Sequence, residues 1–162
     1  MALSSHRVEL LLDCSRDDIR EVIESELLAV LAHEIHHSLR MKQGAPSLTL
    51  AEQLIMEGLA CHFEYTITDG KQSSLFTEFH DYDWLELLAK MTFLLHESDF
   101  PFSKIFLGLH PEEFPKYAGY WVGYNLVSRY AARCKVTDIN LVTLPAEVFF
   151  DALQSNGRMK ST

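Results

Sequence analysis

Residues 33–37 read His-Glu-Ile-His-His, so His33, Glu34 and His37 satisfy the pattern His-Glu-x-x-His. Side chains four apart on a helix project from one face, so the two imidazoles can turn toward a single metal ion. Glu34 is rotated by about 100° from His33 and is badly placed to share the coordination. It can instead reach a water at the metal's open position and act as general base. With 8 His among 162 residues, random placement yields roughly 0.03 matches to this pattern.

Two histidines do not complete a site, because a catalytic zinc usually has three protein ligands and an exchangeable water. The best third ligand is Glu57, in Met56-Glu57-Gly58-Leu59-Ala60, 20 residues beyond His37. Glu52 and Glu64 are the nearest competitors. Glu52 is better explained by helix capping, and Glu64 lies two helical turns from Glu57, so one of the three is expected to ligate. His36 points away from the pair and reads as surface or as support for a ligand. His62, His80, His96 and His110 share no spacing that suggests a site. Cys14, Cys61 and Cys134 are widely separated, with no Cys-x-x-Cys, and read as reduced, mostly buried, small apolar residues.

His33-Glu34-x-x-His37 followed after 19 residues by Glu57-Gly58-x-Ala60 resembles the gluzincin metallopeptidases. More narrowly, it is similar to the DUF2268 group of predicted zinc-dependent proteases. That group also carries a Tyr-x-x-Gly-Tyr segment, here Tyr120-Trp121-Val122-Gly123-Tyr124. The resemblance spans residues 20–155. It implies a zincin-like domain in which His33, His37 and Glu57 hold one Zn2+ ion, and a metallopeptidase (hydrolase) activity on peptide or protein substrates. Glu34 would then accept the proton of the zinc-activated water and deliver it to the leaving amine. The oxyanion would need a further donor, and Tyr120 is the choice, with Tyr117 and Tyr124 close behind. By spacing alone, these aromatic residues read as a packed helix face.

Two departures from that pattern shape the expectations. Many gluzincins carry an Asp four residues after the glutamate ligand, where it orients the first His; this chain has Cys61. The partner of that His must therefore come from elsewhere. Gluzincins also place several strands before the zinc helix, one of which binds substrate backbone. About 16 residues precede the helix here, so the cleft is expected to be truncated, absent or supplied by a partner chain, a homo-oligomer included. The alternative function is a catalytically inactive, zinc-stabilised regulatory or interaction module derived from a peptidase.

The elements that must position these residues are mostly helices. Ile19, Val22, Ile23, Leu27, Val30, Leu31, Ile35 and Leu39 follow helical spacing, which predicts a helix over about 17–41, ending before Gly44-Ala45-Pro46. Thr49-Leu50-Ala51-Glu52 matches a capping box and opens a second helix that runs to the Asp69-Gly70 turn. A helical pattern over 74–97 is interrupted near Asp81, and 98–115 reads as irregular. Residues 117–135 predict another long helix, and Pro145 can start a short one. Residues 7–12 are the best strand candidate within 1–15, and 156–162 read as a frayed tail. The fold class is mainly α, or α+β with a minimal strand element, in one domain over 1–162.

Composition supports this reading. Apolar residues make up 48% of the chain, enough for a core, and the formal charge of −9 opposes nucleic-acid binding. That acidity steers at most a mild preference toward basic or neutral peptides. No apolar run reaches membrane-spanning length, and Met1 to Leu12 lacks the features of a secretory signal, which points to a cytoplasmic protein.

Overall fold

The computed structural model describes residues 3–4, 7–44, 48–71, 82–136 and 138–154. It is mainly helical, as the periodicity predicts. A two-residue hairpin pairs β1 (Leu3–Ser4) antiparallel to β2 (Arg7–Val8), with Leu3 opposite Val8. Residues 9–12 therefore leave the sheet, whereas the sequence pattern extends the strand through them. Both strands touch the helix that follows, α1 (Ile19–Lys42).

The second helix, α2 (Leu50–Ile67), begins as the capping box predicts. The Thr49 hydroxyl accepts the Glu52 N–H at 3.3 Å, and the Glu52 carboxylate accepts the Thr49 N–H at 2.8 Å. Two further amides of its first turn donate to a later segment of the chain: Leu50 to the Glu97 carbonyl and Ala51 to that of Leu95. Four amide groups that a helix start leaves without partners are thus served here. Glu52 is occupied by this role, in keeping with its reading as a cap. After Ile67 and its cap Thr68 the chain turns away at Asp69 and Gly70, both at positive φ.

The chain continues through α3 (Trp84–Met91) and a 3-10 turn at Thr92–Leu94, then α4 (Phe102–Phe106). The last three helices are α5 (Ala118–Cys134), α6 (Asp138–Leu141) and α7 (Ala146–Gln154). The short α4 lies in a stretch that reads as irregular, because five residues are too few to display a period. The start of the 74–97 pattern, with Asp81 and His80, lies outside the described residues, as do Ala45-Pro46 and the tail at 156–162.

Helix α2 is the centre of the arrangement, packed between α1 and α5. Its residues from Leu54 to Cys61 are all buried, which a helix flanked on both sides requires. The crossing with α5 depends on two glycines. A Cβ on Gly58 would lie 2.2 Å from the Gly123 carbonyl carbon, and one on Gly123 would lie 2.1 Å from the Leu54 carbonyl oxygen. The helix backbones touch there. Around this contact Leu54, Leu59, Val122, Leu126, Phe106 and Phe149 form the core. Arg40, near the end of α1, is buried yet tied down, its guanidinium donating to the carbonyls of Val142 (2.8 Å) and Leu144 (3.1 Å).

Candidate metal centre

Helix geometry places His33 and His37 on the face of α1 that meets α2, with ring centroids 4.7 Å apart and planes nearly perpendicular. Glu57 of α2 projects between them. Its Oε2 lies 3.1 Å from His33 Nε2 and 3.2 Å from His37 Nε2. All three residues are buried. Zinc bonds of about 2.0–2.1 Å at tetrahedral angles separate ligand atoms by about 3.3 Å, so this donor set has the chemistry and the spacing for zinc. The other Glu57 oxygen, Oε1, accepts a hydrogen bond at 2.8 Å from the Gln53 side chain, one turn earlier on α2. That bond leaves Oε2 as the oxygen presented to the imidazoles.

Glu34 is buried beside this cluster, 7% exposed, and its Oε2 has no hydrogen-bond partner among the described residues. A buried carboxylate oxygen without a partner carries a large desolvation cost unless something else binds it. The same holds for His37 Nδ1. His33 differs: its Nδ1 faces Glu64 Oε2 at 3.3 Å and the Cys61 thiol at 3.8 Å. Glu64, which the sequence pattern places merely two turns from Glu57, therefore reaches the opposite nitrogen of the same ring. Its only sequence signal was that seven-residue spacing, which returns to the same helix face.

Tyr120 enters the cluster from α5, where the Gly58–Gly123 contact draws that helix against α2. Its ring lies 6.3 Å from that of His33 and packs edge-on against Phe106 at 5.4 Å and Tyr117 at 5.8 Å. Burial, then the charge of Glu57, pushes the phenol pKa far up, so Tyr120 stays protonated and able to donate. Tyr124 sits farther out, its ring 6.2 Å from that of His62 and stacked on Trp121 at 6.1 Å. Of the two readings of His36, the surface one fails: the residue is buried, with Phe63 5.6 Å from its ring. The cysteines are corrected too, since Cys61 is buried but Cys14 and Cys134 are exposed.

The profile of the family described as "Predicted Zn-dependent protease (DUF2268)" matches residues 16–151. The chain belongs to the DUF2268 family. The match encloses all of α1, α2 and α5, the three helices that build the cluster. A curated relative, the Uncharacterized protein YjaZ of Bacillus subtilis (strain 168), is 29% identical over 132 residues. The alignment covers 77% of this chain and 50% of YjaZ, so this DUF2268 chain spans about half the length of that relative. No solved structure matches. No helix among the described residues is long and apolar enough to cross a membrane.

The electrostatics of the metal-free cluster predict a stability window. Burial disfavours the Glu57 carboxylate, but hydrogen bonds from His33 and His37 outweigh it and lower its pKa from 4.5 to about 2. Burial likewise opposes a charged His33, but Cys61, Glu57 and Glu64 raise its pKa well above 6.5. The Glu57 contribution is present above pH 4.5 and lost as pH falls through about 2. The His33 contribution is present below pH 6.5 and lost as pH rises through its higher folded value. Thermal unfolding of chelator-treated protein is expected to show its highest midpoint between these limits, falling on both sides. A midpoint that rises steadily from pH 6 to 9 would contradict this pairing.

Proposed function

We propose that this chain is a zinc-dependent metallopeptidase, acting as one domain on peptide or protein substrates. The observation that carries this reading is the convergence of His33 Nε2, His37 Nε2 and Glu57 Oε2 beside the unpartnered Oε2 of Glu34. His33, His37 and Glu57 would hold one zinc ion. When bound, zinc polarises a carbonyl and lowers the pKa of a water to about 7. Membership in a family of predicted Zn-dependent proteases supports the same chemistry.

Within this reading Glu34 takes the proton of the attacking water at its free oxygen and returns it to the leaving amine nitrogen. Its rotation of about 100° from His33 keeps it out of the ligand set. The Tyr120 hydroxyl, kept protonated by burial, donates a hydrogen bond to the oxygen on which negative charge develops. Gln53 holds the Glu57 carboxylate in one orientation through Oε1, so that Oε2 stays available.

The test is hydrolysis of a fluorogenic peptide mixture before and after removal of metal. Chelation is expected to abolish hydrolysis, and one equivalent of zinc to restore it. Hydrolysis that survives complete removal of metal would overturn the proposal.

A further inference from the structure

Resting on the zinc reading, we infer that Glu64 positions His33 for metal binding: it accepts a hydrogen bond from Nδ1–H and so turns Nε2 toward His37 and Glu57. A neutral imidazole carries one N–H, and only its bare nitrogen can ligate. Which nitrogen is bare is decided by the partner opposite. Glu64 Oε2 lies 3.3 Å from His33 Nδ1, and both side chains are at least nine-tenths buried, with relative exposures of 4% and 10%. An ionised carboxylate can only accept, so this contact needs a proton on Nδ1; the contact of Glu57 with Nε2 is the one that zinc would take over, which leaves Glu64 on the proton that remains. The spacing of Glu57 and Glu64 returns both to one face of α2, and the His33 ring lies between them, one carboxylate at each nitrogen.

Cys61 cannot do the same work. Its sulfur faces the same ring nitrogen at 3.8 Å. A thiol is a weak acceptor and also a donor. Acting alone, it could donate to Nδ1 and leave the ring proton on Nε2, facing Glu57, in a tautomer that cannot ligate. Glu64 removes that alternative. His37 has no equivalent, since its Nδ1 lacks a hydrogen-bond partner among the described residues. Of the two histidines, His33 is thus the one whose orientation the protein fixes in advance.

The experiment measures zinc affinity by competition with a chromophoric chelator, with folding checked by circular dichroism. Glu64→Ala is expected to weaken zinc binding by about 10–100-fold. Adding Cys61→Asp in the Glu64→Ala background returns a carboxylate to the same ring nitrogen and is expected to recover at least about tenfold of the loss. Zinc affinity unchanged in Glu64→Ala would overturn the inference, and so would a folded double variant no tighter than Glu64→Ala. Independently of any variant's folding, nitrogen-15 NMR of the zinc-loaded native protein should find the His33 proton on Nδ1. A proton on Nε2 overturns the assignment. Native protein that binds no zinc defeats the zinc reading and this inference together, whereas native binding with an unaffected Glu64→Ala defeats this inference alone.

Discussion

Glu34→Gln is expected to lower kcat for peptide hydrolysis by about 10²–10⁴-fold while zinc content stays at one equivalent. That factor corresponds to about 3–5 kcal/mol of transition-state stabilisation. Gln matches Glu in size and keeps its place on α1, but it cannot accept and hand on a proton. Glu34 Oε2 has no hydrogen-bond partner among the described residues, so no intramolecular bond to that oxygen is lost and the unfolding midpoint should move little. The separation between activity and metal content is what gives the variant its force. Loss of zinc together with activity would place Glu34 among the ligands and overturn its role as base. Full activity would remove its role as base. Native protein at full zinc occupancy that hydrolyses nothing in a broad peptide library would favour a zinc-stabilised interaction module.

The second large effect is expected at the helix crossing. Gly123→Ala puts a methyl group 2.1 Å from the Leu54 carbonyl oxygen, and Gly58→Ala puts one 2.2 Å from backbone atoms of Gly123. Neither obstacle is a side chain that can rotate away, so α2 and α5 must separate by more than 1 Å to restore ordinary van der Waals distances. Overpacking of this kind is expected to cost about 3 kcal/mol or more. For a chain of this size that lowers Tm by about 6–12 °C. The damage also has a direction. Tyr120 is one turn before Gly123 and Glu57 immediately precedes Gly58, so separation draws the phenol away from His33 and disturbs the carboxylate. Activity per folded, zinc-loaded molecule should therefore fall as well. Unfolding curves and activities equal to those of the native protein would show that the helices do not meet there.

The parts of the molecule that were legible in the sequence are those whose cause is local. The Thr49–Glu52 box announces α2 because both of its hydrogen bonds lie within four residues. The four-residue spacing of His33 and His37 announces a shared helix face for the same reason. Glu57 could be singled out only by its neighbours in sequence and by resemblance, yet its carboxylate does meet both imidazoles. What was illegible depends on tertiary meeting. Gly58 and Gly123 are 65 positions apart, and nothing near either one states that their backbones touch. Gln53 meets Glu57 within α2, and Glu64, weighed in the sequence only as a rival ligand, shows its contact with the far nitrogen of His33 once α1 is laid against α2. Nothing in the sequence near Arg40 announces its partners, which are carbonyls more than 100 residues away. The exposed Cys14 and Cys134 show the converse, since a small apolar type carries no record of whether anything covers it.

The central claim is that His33, His37 and Glu57 together hold one zinc ion. Elemental analysis of purified protein, followed by an anomalous X-ray map at the zinc edge, tests it most directly. The expected result is one zinc per chain, with Nε2 of His33, Nε2 of His37 and a Glu57 carboxylate oxygen at about 2.0–2.2 Å. A chain with no bound metal, or a zinc whose ligands exclude Glu57, would contradict it.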